Sequence, residues 1–114
     1  MPPRTRPVSW IRAALKEFET FPEQARSICL AALTIAAEGG KADVARPMHG
    51  MGAGVFEIAL PFRGDALRVV YSVFAEEIWV MDAFQKKSTQ GIKMPKREVD
   101  LIRDRLKRLK EMSR

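Results

Sequence analysis

The sequence contains one cysteine, one histidine and one tyrosine among 114 residues, and these low counts exclude several kinds of chemistry. Cys29 cannot form an internal disulfide, and because it lies in an apolar helical stripe we expect a small, buried hydrophobic side chain. His49 alone rules out a mechanism that uses one imidazole as base and a second as acid. Its position between Met48 and Met51, in a glycine-rich stretch, favours loop packing over a site role.

Long apolar runs and cofactor motifs are also missing. The longest apolar run, Ile28 to Ala37, is interrupted by Thr34 and is shorter than the roughly 20 residues that cross a bilayer. The N-terminus lacks the apolar core of an export signal. The sequence has no cluster of metal ligands, no glycine-rich phosphate loop and no G-x-S-x-G motif. We therefore expect a cytoplasmic protein without a membrane span, a metal or a cofactor.

Positive charge is concentrated at one end of the chain. The formal net charge is +6, and residues 85–114 alone carry eleven basic and four acidic side chains. This concentration suits a polyanion partner, because each Lys or Arg that meets a phosphate releases a counterion, but a solvated helix face explains it equally well. Hydrophobic residues make up 46% and charged residues 30%, as in ordinary globular proteins. We predict a single domain over residues 1–114.

Periodicity predicts one strand and two helices before residue 40. Val8 to Trp10 is a short edge strand. A restart signal from Thr20 to Glu23, in which Thr20 caps free backbone N–H groups, begins a second helix that ends at Gly39-Gly40. The first helix is predicted to end at about Glu19, because apolar residues recur at helical spacing before it, at Ile11, Ala14, Leu15 and Phe18. The apolar face of the second comprises Ala25, Ile28, Cys29, Ala32, Leu33 and Ala36.

The second half of the chain alternates as strands do. Lys41 to Gly54 is predicted to be a loop, and it is followed by three strands in an antiparallel meander, at Val55–Leu60, Ala66–Phe74 and Ile78–Phe84. Pro95 then begins a basic helix whose apolar positions are Val99, Ile102, Leu106 and Leu109. The order predicts an α+β domain in which the helices cover one face of the sheet and the other face is free for a ligand.

Several side chains suit a reaction on RNA that needs no metal, the attack of the chain's own 2′-hydroxyl on the adjacent phosphate. Arginine offers two parallel donors to phosphate oxygens, and lysine or tyrosine transfers protons when its pKa is shifted. An aromatic ring adds a surface for base stacking. The candidates are Arg63 before the middle strand, Arg68 and Tyr71 on it, and Phe84, Lys86 and Lys87 at the end of the last strand.

Each candidate also has a plainer structural interpretation. Arg68 also fits a surface strand position, and Tyr71 and Phe84 fit the core. Asp82, near the end of the last strand, either orients a lysine or faces water. Further candidates for contacts with RNA phosphates lie in the basic C-terminal segment, at Lys93, Lys96 and Arg97.

One run of residues extends from Val80 to Ser88 and continues in Gly91-Ile92-Lys93 and Pro95-Lys96-Arg97-Glu98. This run resembles the phage-related branch of the RelE/HigB toxin superfamily. Its Phe-x-Lys-Lys core gains specificity from its place between a strand and a basic helix. Supporting matches are Phe21-Pro22-Glu23, Gly39-Gly40-Lys41, Gly54-Val55-Phe56-Glu57-Ile58 and Arg68-Val69-Val70-Tyr71-Ser72, so that the resemblance covers about Val8 to Leu109.

The resemblance implies a RelE-like microbial RNase fold and a type II toxin that cleaves messenger RNA on the ribosome without metal. It also implies neutralisation by a cognate antitoxin, a HigA-like helix-turn-helix protein. By position, the family's active-site region corresponds to Arg68, Tyr71, Phe84, Lys86 and Lys87, with Arg63 as a weaker addition. Many relatives carry an arginine where this chain has Ala59, so one phosphate contact is either absent or supplied by Arg63.

Two other functional classes remain open on the sequence. A ParE-like toxin shares the fold but poisons DNA gyrase, and it predicts DNA damage with unbroken messenger RNA. A non-enzymatic RNA- or ribosome-binding module that uses Lys93 to Lys110 predicts salt-sensitive binding without toxicity. A neighbouring gene for a small helix-turn-helix protein favours either toxin over the binding module.

Overall fold

The computed structural model describes residues 5–74, 76–87 and 94–112. Three helices and five strands follow one another along this part of the chain. In order they are β1 (Val8–Trp10), α1 (Arg12–Phe18), α2 (Glu23–Ala37), β2 (Ala45–Pro47), β3 (Val55–Phe62), β4 (Asp65–Phe74), β5 (Glu77–Lys86) and α3 (Lys96–Met112).

The strands form one sheet in the order β1-β5-β4-β3-β2. The predicted α+β class and the antiparallel meander are confirmed, with β3, β4 and β5 paired in sequence. The meander strands are longer than predicted, because residues assigned to turns still pair, as Phe62 does with Asp65. The predicted edge strand is also confirmed, and it runs parallel to β5, with Val8 opposite Ile78.

The loop predicted from Lys41 to Gly54 contains a strand that the sequence analysis missed. In β2, Ala45 pairs with Ile58 and Arg46 with Glu57. Because β2 is an edge strand, Pro47 is tolerated there without its backbone donor. A three-residue strand is too short to show alternation, and the proline argues against one.

Helices pack on both faces of the sheet, which corrects the expectation that all of them lie on one face. α1 and α2 pack on the first face, where the core includes Phe18, Leu33, Ile58 and Val69. α3 packs on the second face and buries Ile102, Leu106 and Leu109 against Val70 and Met81. The apolar stripe of α3 must be buried, and the first face is already occupied by α2, so the helix crosses the second face.

A β-bulge in β5 determines which side chains face α3. Val70 of β4 pairs with Asp82, whereas the next residue, Tyr71, pairs with Val80. Met81 is therefore an extra residue in β5, and it packs in the cluster beneath α3. Asp82 lies on this side as well, because Arg105 of α3 contacts its carboxylate. Met81 and Asp82 are adjacent, so without the bulge the alternation of side chains along β5 would turn one of these two residues away from α3.

The helix boundaries differ from the prediction in one detail. α2 begins after Pro22 without a side-chain cap, and Thr20 instead donates to the carbonyl of Glu17 over 2.6 Å at the end of α1. Cys29 is buried as predicted, and this burial raises the pKa of its thiol to about 11. Ile28, which is predicted to lie on the same apolar face of α2, is exposed.

Among the helices of the described ranges, none combines the length and the apolar character that a membrane span needs.

Candidate active site

Arg68 lies near the middle of the sheet face that α3 covers. On the neighbouring strands its partners are Ala59 of β3 and Phe84 of β5. The residue is only 8% exposed, and its Nη1 atom donates to Oε1 of Glu57 over 2.6 Å. Its Nε atom is buried without a hydrogen-bond partner in the described part of the chain. Buried donors are normally satisfied, so an N–H group without a partner is uncommon at such a position.

Glu57 connects Arg68 to a second arginine. Arg46, opposite Glu57 on β2, places Nη2 at 3.3 Å and Nε at 3.4 Å from the same Oε1 atom. The Glu57 carboxylate is buried, whereas the side chain of Arg46 is largely exposed. One buried carboxylate is thus shared by two guanidinium groups, of which Arg46 has the freedom to turn toward a ligand.

These residues line a groove between β2, β3, β4 and the start of α3, which we call the arginine groove. Its volume is about 820 Å³, within the range of small-molecule sites. Arg103 of α3 enters it and donates to the carbonyl of Gly50. Three arginines against one carboxylate favour an anion, and arginine is well matched to phosphate. The groove is lined by Arg46, Pro47, Met48, His49, Met51, Glu57, Arg68, Met94, Val99 and Arg103.

A second groove of about 620 Å³ lies between α1, the end of β5 and α3, and we call it the carboxyl groove. Asp82 is buried in it, and its Oδ1 atom is 3.4 Å from Nη1 of Arg105. The expectation that Asp82 orients a lysine or faces water is therefore wrong. The lining residues are Ala13, Lys16, Glu17, Asp82, Ala83, Phe84, Gln85, Lys87, Pro95, Arg97, Glu98, Leu101 and Arg105.

The structure brings three of the predicted site residues onto one face. Phe84 is the direct cross-strand neighbour of Arg68, and Lys86 follows two residues later on the same side of β5. Lys86 pairs with Ala66, which makes it a diagonal neighbour of Arg68, a spacing that long side chains can bridge. Lys86 is 5% exposed. Arg68, Phe84 and Lys86 therefore lie together beneath the start of α3.

Lys87, Lys96 and Arg97 lie apart from Arg68. Lys87 is exposed, with its Nζ atom 3.6 Å from Oδ2 of Asp65, and it lines the carboxyl groove together with Arg97. Lys96 is exposed at the first turn of α3. Lys93 lies outside the described residues.

Tyr71 is on the opposite face of the sheet, so the prediction that it shares a site with Arg68 is wrong. Three positions along a strand reverse the direction of a side chain. Tyr71 packs in the α2-side core and stacks on Phe56 at 5.3 Å between ring centroids, and burial raises its pKa. Arg63 also lies apart, over the ring of Phe62 at the turn between β3 and β4.

Glu57, Arg46 and Arg103 are not among the site residues predicted from the sequence, and His49 is predicted to have a packing role. A single charge in the apolar strand VFEIAL was the available signal for Glu57. Arg46 was hidden because its strand was not recognised, and Arg103 depends on which sheet face α3 covers. No group of three or more His, Cys, Asp or Glu side chains within the described residues is placed to hold a metal ion.

The comparisons with known proteins agree with this architecture. A family model described as "Phage derived protein Gp49-like (DUF891)" matches residues 16–107. A solved structure of a mutant of the E. coli toxin RelE in the free state is similar, with a TM-score of 0.60 and 19% sequence identity over 91% of this chain and 97% of that chain. No curated protein matches the sequence.

The fold is that of the RelE-like toxins, with the meander, the parallel edge strand and the C-terminal helix all present. The chain belongs to the phage-derived Gp49-like family, a RelE/HigB-type toxin family. The resemblance identified in the sequence is thereby confirmed.

Proposed function

We propose that the chain is the toxin of a type II toxin-antitoxin system and cleaves messenger RNA on the ribosome, without metal, by transfer to the RNA 2′-hydroxyl. The observation that carries the proposal is the buried pair of Arg68 and Glu57 in a groove with two further arginines. A carboxylate beside guanidinium groups supplies a base and a binding site for phosphorane charge in one place.

In the proposed reaction, Glu57 accepts the proton of the 2′-hydroxyl while Arg68 and Arg46 bind the phosphate oxygens. The bond from O2′ to phosphorus forms, the bond from phosphorus to O5′ breaks, and Lys86 gives a proton to O5′. Protonation of Glu57 removes the negative charge that holds both arginines. The two guanidinium groups are then free to stabilise the charge that develops on the phosphorane.

RNA outside the reacting phosphate is proposed to lie along the start of α3. Phe84 supplies a face for base stacking, and the exposed cations Lys87, Lys96 and Arg97 contact flanking phosphates. Neither Arg63 nor Tyr71 has a part in this proposal, because both lie away from Arg68.

The proposed partners are messenger RNA on the ribosome and a cognate HigA-like antitoxin. The outer face of α3 carries the exposed cations Lys107, Arg108 and Lys110. This surface suits ribosomal RNA, and an acidic antitoxin segment would compete for it.

Brief induction of the chain without an antitoxin, followed by mapping of transcript 5′ ends, tests the function. The wild type is expected to arrest translation and to produce new 5′ ends, and Arg68→Ala to abolish both. Arg12→Ala is the matched control, since Arg12 is an exposed arginine of α1 that lines neither groove. Arrest with intact transcripts would contradict the proposal, and DNA damage in that case would favour the gyrase poison.

A further inference from the structure

The carboxyl groove contains two buried carboxyl groups on different elements. Asp82 of β5 is 4% exposed and Glu98 of α3 is 9% exposed. Oδ1 of Asp82 accepts from the backbone N–H of Ala83 over 3.0 Å and lies 3.4 Å from Nη1 of Arg105. Oε1 of Glu98 lies 4.0 Å from Nε of the exposed Arg97, and the other two oxygens, Oδ2 of Asp82 and Oε2 of Glu98, have no donor in the described part of the chain.

A shared proton accounts for the two oxygens without donors. Asp82 and Glu98 line the same groove, and a proton held between Oδ2 and Oε2 satisfies both atoms, which two ionised carboxylates cannot do for each other. Burial, followed by the hydrogen bond and the charge of Glu98, raises the pKa of Asp82 to about 8, although Arg105 and the Ala83 N–H act in the opposite direction. One proton therefore stays between the carboxyl groups at neutral pH, and Arg105 balances the remaining negative charge.

We propose that this shared proton is a latch that holds the first turns of α3 on β5, and that its loss releases the helix from the sheet. Glu98 and Arg105 are both on α3, and Arg105 also donates to the carbonyl of Met81 on β5 over 2.6 Å. Loss of the proton leaves two buried carboxylates with one partly buried arginine, Arg105, because the second arginine, Arg97, is 4.0 Å from Glu98 but exposed to solvent. The excess negative charge is relieved when α3 moves away and water reaches Asp82.

The latch also regulates the arginine groove, a step that rests on the proposed function. The same stretch of α3 contributes Val99 and Arg103 to the wall of that groove. Release of α3 therefore removes one arginine from the groove and uncovers Arg68 and Lys86. The structure thus couples a proton on one side of α3 to the geometry of the site on the other.

Other charged groups near Asp82 are at the rim of the groove. Lys16 and Glu17 of α1, Lys87 after β5 and Arg97 of α3 line it, and all four are exposed to solvent. On the other side, β4 places the uncharged Val70 opposite Asp82. Rim charges in water are screened, and these include Arg97, whose Nε atom is 4.0 Å from Oε1 of Glu98. Among the described residues, Glu98 and Arg105 therefore have the strongest effect on the proton.

Hydrogen exchange of the α3 amides as a function of pH tests the latch. Opening exposes Asp82, whose pKa returns from about 8 to its usual 3.8, so each opening event between these pH values releases one proton. The opening constant, obtained after division by the intrinsic exchange rate, should rise about tenfold per pH unit from pH 6 to 8 and level off above. Asp82→Asn, which is neutral at every pH, should abolish this dependence.

Asp104→Asn is the matched control, because Asp104 is an exposed carboxylate of the same helix, and it should keep the wild-type slope. Glu98→Gln is a second test variant for the case that Asp82→Asn does not fold, and its profile should level off at a lower pH, because the effect of Glu98 on the pKa of Asp82 is lost while that of burial remains. A wild-type opening constant that does not change with pH, an equal slope in a folded Asp82→Asn variant, or a wild-type profile in Glu98→Gln overturns the proposal. The measurement needs no RNA, so its outcome is independent of whether the chain is a nuclease.

Discussion

Arg68 donates to Glu57 over 2.6 Å inside a groove whose other charged side chains are arginines. This pair affects both the stability of the protein and the proposed cleavage reaction. Breaking a buried pair leaves a charge without its partner, which costs more than the pair contributes. The same two side chains are the proposed base and phosphate ligand. Substitutions here must therefore separate an effect on folding from an effect on cleavage.

Arg68→Ala is expected to lower the free energy of unfolding by about 3 kcal/mol, because Glu57 stays buried with only Arg46 beside it. Adding Glu57→Gln removes the stranded charge and should restore most of the stability. Neither variant should cleave RNA. Urea denaturation followed by circular dichroism measures the first effect, and transcript mapping the second. Restored cleavage in the double variant would contradict the roles assigned to both residues.

Lys86→Ala is expected to lower the cleavage rate at least about 100-fold, the range for loss of a proton-transfer group. Lys87→Ala is the control on the adjacent residue, since Lys87 points to another groove and pairs with Asp65. It should change the rate less than about tenfold, through RNA affinity alone. Single-turnover cleavage on ribosomes distinguishes the two variants. An equal loss of cleavage rate in both would contradict the assignment of proton transfer to Lys86 alone.

Ala59→Arg places a further cation directly opposite Arg68, at a position that remains partly exposed. We expect tighter RNA binding and a dependence of log K on log salt that is steeper by about 0.7, the value for one more contact with a single strand. Titration with a labelled oligonucleotide at several salt concentrations measures the slope. An unchanged slope would mean that bound RNA does not contact the sheet at residue 59, opposite Arg68.

Gly54→Ala is expected to destabilise the fold more than Gly52→Ala. Both glycines have positive φ, 81° and 83°, so the backbone penalty is similar. A Cβ at Gly54 would lie 2.9 Å from the carbonyl oxygen of Val73, whereas one at Gly52 meets nothing within 4 Å. Thermal denaturation of the two variants compares them, and equal melting temperatures would rule out the clash.

The sequence predicted the elements whose signal is local. Alternation over six or more residues was enough for the meander, and the apolar stripe of α3 was enough to place a helix after Pro95 and to identify its inner face. The three residues of β2 were too few to show a period. The prediction put Tyr71 beside Arg68, although the two residues are three positions apart on one strand. The period of two in a strand places such residues on opposite faces of the sheet.

Contacts between distant elements were beyond the sequence. Amphipathicity shows which side of α3 is buried but not which face of the sheet receives it, so Arg103 and the pairing of Asp82 with Glu98 were hidden. That pairing also depends on the bulge at Met81, which has no signature in the strand pattern. The buried bond between Arg68 and Glu57 required the register of β3 and β4, which the turn between them determines.

The parallel pairing of β1 with β5 has a consequence for biosynthesis. Val8 can pair with Ile78 only after the ribosome has added Ile78, and Ile78 follows the first two helices and most of the meander in the chain. Such distant partners make closure of the sheet slow, because a contact between residues far apart in the sequence forms late in folding. A ribosome that stalls before Ile78 therefore produces a chain that lacks the partner of β1 and cannot complete the sheet.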